Sequence, residues 1–338
     1  MKRKHYLAWM PTAALTAASV MPMTVYAQPA SAGGGKVKVV EGDVSGEMQG
    51  GVMSPGAVAV EGADLTVNGN VSDGLVSDGA TLTVNGNVTG NGINTVVAKK
   101  GTVTVNGTVT ATDLNRQTGV LASNGSKLTV GDTEVGGKES TGVIAESGSK
   151  ATAGNVKVSG EYMTGASACG DSTVHVKGDV TATGENSVGI DGETGTIKVG
   201  GDVSGIEAVV ARGEADVTVG GSVSGTLSGI VAVGNASVSV KGDAETKVGP
   251  GVFAQENATV TVDGNVTGGT FYEAPEGYEY VYPAIIAGAG TTVIVKGTVS
   301  TAERNFFAVG INCWDAGSQK GTLILEKAKA GGEANAIY

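Results

Sequence analysis

A seven-residue unit returns along this chain at nearly fixed intervals, and that spacing limits the folds open to it. Its cleanest form is Val217-Thr-Val219-Gly-Gly221-Ser-Val223, in which apolar residues alternate with small or polar ones around a glycine. The unit recurs at Leu65 to Val71, Leu82 to Val88, Val103 to Val109, Val174 to Val180, Ile197 to Val203, Val260 to Val266 and Val293 to Val299. Degraded copies lie at Val40 to Val44, Leu128 to Val135, Val156 to Tyr162, Val238 to Ala244 and Leu323 to Ala328. With the second apolar residue as marker, Val176, Val199, Val219, Val240 and Val262 are 23, 20, 21 and 22 residues apart. A period near twenty residues marks a solenoid, because one such repeat cannot bury its own apolar face and must stack on its copies.

Alternation with period two, Val, Ile and Thr at the alternating positions and glycine every few residues favour strands over helices. Each repeat carries a second apolar segment, such as Gly119-Val-Leu-Ala122, Gly142-Val-Ile-Ala145, Gly229-Ile-Val-Ala232, Gly251-Val-Phe-Ala254 and Ala284-Ile-Ile-Ala287. Turn residues, as in Gly234-Asn235 and Glu256-Asn257, separate the segments. The mid-unit glycine lets the strand turn a corner. The frame of a leucine-rich repeat is missing. Apolar residues make up 40% of the chain and aromatics only 4%, so the core is thin and built from Val and Ala.

The chain resembles the parallel β-helix proteins of bacterial surfaces: the passenger regions of autotransporters, haemagglutinin-like adhesins and pectate-lyase-like solenoids. The resemblance rests on the repeat pattern over residues 37–338. It implies an all-β fold, a right-handed parallel β-helix of about a dozen rungs. In such a coil equivalent residues lie over one another, so Asn68, Asn85 and Asn106 are expected to form a side-chain amide ladder.

Residues 1–27 read as a secretory signal: Lys2-Arg3-Lys4, an apolar run from Tyr6 to Val25 broken by Pro11 and Pro22, and cleavage before Gln28. Residues 28–36, with Gly33-Gly34-Gly35, read as a flexible linker. The expected location is secreted or on the bacterial cell surface, with no membrane segment after signal cleavage. The net charge of −11 would repel phosphate backbones, so no nucleic-acid partner is expected.

Catalytic chemistry finds little support. There is no Asp-Asp pair and no Gly-His-Gly of the kind that polysaccharide-degrading β-helices use. His175 is the only histidine beyond the signal, on the outward side of its strand, so a histidine-based zinc site is excluded. No cofactor and no metal are expected. Cys169 and Cys313, some six rungs apart, are too distant to bridge; Cys169 reads as a small core residue. Arg212-Gly-Glu214 reads as a surface pair in a turn.

The departure from the repeat is the segment Phe271, Tyr272, Tyr278, Tyr280 and Tyr282, five aromatics in a chain with few. Here the marker spacing jumps to 33, between Val262 and Val295. Insertions in solenoids go to loops on one side. The loop 270–283, with Trp314 from the next rung, is the expected ligand-binding patch: aromatics stack on sugar rings or anchor a protein partner. The same loop can also cap the last rungs. The expected function is a non-catalytic, adhesin-like or structural rod that binds host or neighbouring-cell glycans or surface proteins. The alternative is a pectate-lyase-like enzyme that degrades polysaccharide.

Overall fold

The computed structural model describes residues 28–49, 52–111, 115–268, 272–273, 279–280, 282–301, 309–311 and 322–329. Within them the chain forms a 33-stranded sheet coiled on itself, with strands hydrogen-bonded in parallel to their equivalents in adjacent turns, and two short antiparallel pairs outside it. The parallel β-solenoid expected from the repeat is thus the fold, with about ten turns and end strands that extend the ladder. Each turn has three sides. The first carries the marker valines, as in Thr196–Val199, Asp216–Val219 and Ser237–Val240. The second is short, as in Val180–Thr183 and Val266–Gly268. The third carries the glycine-led segment, as in Thr141–Ala145 and Val252–Gln255.

The core is a bundle of like-on-like columns. On the first side Leu65, Leu82, Val103 and Leu128 stack in register, followed by Ala151, Val174, Ile197, Val217, Val238, Val260 and Val293. All are buried. On the third side an inward column of Val, Ile and Leu runs beside one of Ala98, Ala122, Ala145 and Ala168. The copy read at Val156 to Tyr162 was out of place: Val156–Glu161 is a second-side strand, and the first side of that turn is Lys150–Ala153. Ala151 and Ala153 fill the inward positions there, so the valine marker is missing although the register continues.

The glycine between first and second sides has a steric origin. No left-handed φ occurs at Gly178, Gly201 or Gly221. A Cβ on Gly178 would collide with Asn155 Oδ1, one on Gly201 with Asp179 Oδ1 and one on Gly221 with Asp202 Oδ1, all inside 3.0 Å. Left-handed backbone is used instead at the corner between third and first sides, where Asn124 (φ 57) and Gly125 (φ 76) reverse the chain.

Residues 28–36, expected as a linker, include a strand: Ala30–Ala32 pairs in parallel with Ala57–Ala59, and Gly34 and Gly35 turn the chain into Val37–Glu41. Cys169, expected in the core, is half-buried. Its thiol is pushed above its ordinary range by burial first and by Glu146 and Glu193 next. Cys313 lies outside the described residues. Among the described residues, no helix is long and apolar enough to cross a membrane.

Two substitutions test this packing by equilibrium unfolding. Ile197→Ala, at a fully buried column position, is expected to cost about 2–5 kcal/mol. Thr133 stacks between Val109 and Val156 with its hydroxyl buried and unbonded. Thr133→Val is therefore expected to gain about 1 kcal/mol; a loss would show that the hydroxyl is satisfied.

Candidate functional site

Outward positions distinguish the three sides. On the first, Thr66, Thr83, Thr104, Thr129 and Thr152 form a hydroxyl row that continues through His175 and Lys198. His175 is exposed there, as its place in the alternation requires. The second side is also polar outside, with Thr89, Thr110, Glu134, Lys157 and Thr181 in register.

A polar ladder runs along the corner between these two sides. The Asp179 carboxylate accepts the Asp202 backbone N–H at 2.8 Å, and that of Asp202 accepts the Ser222 N–H at 2.7 Å. Ser222 Oγ accepts the Asp243 N–H at 3.1 Å, Asp243 the Asn265 N–H at 2.7 Å and Asn265 the Thr298 N–H at 2.9 Å. The same relation links Asp43, Asn70, Asn87 and Thr108, then Asp132, Asn155 and Asp179. Each side-chain oxygen thus satisfies a backbone donor in the next turn, at a corner where strand pairing lapses. The amide ladder expected from the sequence also forms: Asn85 Nδ2 donates to Asn68 Oδ1 and Asn106 Nδ2 to Asn85 Oδ1, both at 2.7 Å. These carboxylates are engaged structurally. Among the described residues no group of three His, Cys, Asp or Glu side chains can hold a metal ion.

Ion pairs also join successive turns. Arg212 pairs with Asp191 at 2.6 Å and not with Glu214, its neighbour in the turn. Asp263 lies between Lys241 at 2.9 Å and Lys296 at 2.7 Å. Hydrogen bonds from Lys296 and then Lys241 hold its carboxyl below the ordinary range. The cations of these pairs are solvent-exposed, so the pairs contribute little to stability.

The third side is different. Its outward column reads Val58, Val76, Val97, Leu121 and Ile144, then Ser167 and Asp191, then Val210, Val231, Phe253 and Ile286. Most are half-buried, whereas Val97 and Val210 are buried. An apolar stripe therefore follows the outside of the coil, broken in the middle. Burial raises the Asp191 carboxyl above its usual range, with Glu193 adding to the rise and Arg212 opposing it. The aromatic insertion leaves the coil after Gly268 and rejoins it before Ile285–Ala287, so it roots at the upper end of this stripe. Its two short strands, Tyr272–Glu273 and Glu279–Tyr280, pair antiparallel with Tyr272 opposite Tyr280. Tyr282 is half-buried where the chain rejoins the coil. Of the expected patch, the structure therefore brings Tyr272 and Tyr280 together. Phe271, Tyr278 and Trp314 lie outside the described residues.

Val231, Phe253 and Ile286 were not recognised from the sequence as surface residues. The signal was present: two adjacent apolar residues in a strand of period two cannot both face inward. Two open depressions among the described residues lie elsewhere. One of about 250 Å³ is lined by Gly62, Gly79, Lys100 and Gly101, and one of about 230 Å³ by Asp132, Glu134, Asn155, Lys157 and Asp179. Compared with family models, with curated proteins and with solved structures, the chain gave no significant match.

Two variants probe these features. Asp202→Ala is expected to cost about 1 kcal/mol by freeing the Ser222 N–H, and Asp202→Asn much less, in chemical denaturation. The Asp191 carboxyl binds its proton more tightly in the folded chain than in the unfolded one. The resulting stabilisation is full below the ordinary carboxylate range and is lost as pH rises through the raised value. The melting temperature of Asp191→Asn should therefore climb relative to wild type across that window; a constant difference would contradict this assignment.

Proposed function

We propose that this chain is a secreted or cell-surface, non-catalytic, adhesin-like rod that binds glycans or surface proteins through the third side of the coil and the insertion rooted on it. The observation that carries this reading is the outward stripe Val231, Phe253 and Ile286 at the root of the hairpin in which Tyr272 opposes Tyr280. A contiguous row of outward, partly exposed apolar residues is characteristic of interaction surfaces. A flat strand face offers them without a pocket, which suits an extended partner more than a small substrate. The repeat, the charged start and the resemblance to autotransporter passengers and haemagglutinin-like adhesins support the surface location. The acidic balance of the chain favours partners other than nucleic acid.

The test is binding of the purified chain to glycan panels and to whole cells, beside Phe253→Ser and Tyr280→Ala. Each variant is expected to weaken binding at least about tenfold, the loss of roughly one well-packed aromatic contact, with an unchanged far-ultraviolet circular dichroism spectrum. Undiminished binding by both variants, or cleavage of pectin or alginate by the wild type, would overturn the proposal.

A further inference from the structure

The first and last described turns of the coil are chemically unlike. At the N-terminal end Val37–Glu41 pairs with Asp64–Asn68, and the register sets Lys38 over Leu65 and Val40 over Val67. Lys38 therefore occupies an inward position, the one filled by Leu65, Leu82, Val103 and Leu128 in the next turns. Its side chain is half-buried, and its ammonium donates to the Ser31 carbonyl at 3.1 Å. Ser31 belongs to Ala30–Ala32, on the third side of the same turn. The lysine thus reaches from the first side to the third across the mouth of the coil: its methylenes cover the leucine column and its charge stays at the rim. At the other end Leu323 and Leu325 continue the inward columns over Val293 and Val295, half-buried, with Ile324 exposed on the outer face.

We propose that Lys38 keeps the N-terminal end of the coil from accepting a second copy of this chain. A coil made of repeated turns offers at each end a row of backbone donors and acceptors and an open apolar column, which together invite a further parallel turn. The last described turn of a second copy, with Leu323 and Leu325 inward, has the polarity to continue the columns headed by Leu65 and Val67. Head-to-tail contacts of this kind do not close on themselves and grow into filaments. In this chain such a contact would bury the Lys38 ammonium with only the Ser31 carbonyl as its partner, because the facing column position is Leu323 and not a carboxylate. A buried charge without a counter-charge opposes association strongly. Inward-pointing charge is a known means of protecting a sheet edge. Lys38 supplies it at one inward position of one turn, without interrupting the repeat elsewhere.

The experiment compares the full chain with Lys38→Leu, Lys38→Met and the double variant Lys38→Leu/Leu323→Lys, by sedimentation velocity over a concentration series and by electron microscopy. The wild type is expected to sediment as one species. Lys38→Leu and Lys38→Met should associate end to end, at least about tenfold more tightly than wild type. The methionine variant keeps an unbranched side chain in case leucine disturbs folding, which circular dichroism monitors. The double variant should return to the wild-type behaviour, because the charge now sits on the opposite end. Single variants that fold and stay monomeric, wild-type rods that already stack end to end, or association that persists in the double variant would each overturn the proposal.

Discussion

Everything in this molecule follows from equivalent residues lying one strand spacing apart, about 4.8 Å, in every turn. At that distance a side chain meets its own kind above and below. Valine on valine and alanine on alanine give a dry, close-packed column without large aromatics. The same spacing leaves no room for a Cβ at Gly178, Gly201 or Gly221, because the ladder oxygen of the preceding turn fills the place. Glycine and Asp or Asn are therefore one device. The glycine clears the space, and the neighbouring oxygen uses it to satisfy a backbone donor that strand pairing leaves free.

This arrangement commits the interior and the corners to structure and leaves function to the outer faces. Two faces are rows of hydroxyls and charges that water solvates well. The third sets Val231, Phe253 and Ile286 outward beside the root of the insertion. Asp191 breaks that stripe at the cost of a raised carboxyl, offset in part by Arg212 from the adjacent turn. A solenoid separates these tasks easily: residues that hold one turn on the next are distinct from residues that face a partner, and the second set can vary without disturbing the first. Lys38 departs from this pattern, at an inward position that the following turns fill with Leu65, Leu82 and Val103.

The strand content, the parallel stacking and the position of the aromatic insertion were legible in the sequence, because each rests on spacing that a linear string records. The marker valines Val176, Val199, Val219, Val240 and Val262 are all buried, as the alternation requires. Legibility failed where one residue type stood in for another. Ala151 and Ala153 hide a first-side strand, and Val156, on the second side, takes its place in a pattern search. Gly33, Gly34 and Gly35 suggest a linker, yet the residues before them pair with Ala57–Ala59. The candidate surface was half legible: the aromatics stand out by composition, whereas Val231 and Phe253 are indistinguishable by type from the core residues beside them.

The sequence by itself determined that this chain coils, since a near-constant period of β-branched residues and glycine has no stable state except stacked copies. Only the tertiary structure decided which residue of each apolar pair faces water, which turn supplies the partner of Arg212 and why the corner glycines cannot be replaced. Those properties belong to residues some twenty positions apart along the chain and one strand spacing apart in space. They exist only once one turn lies on the next.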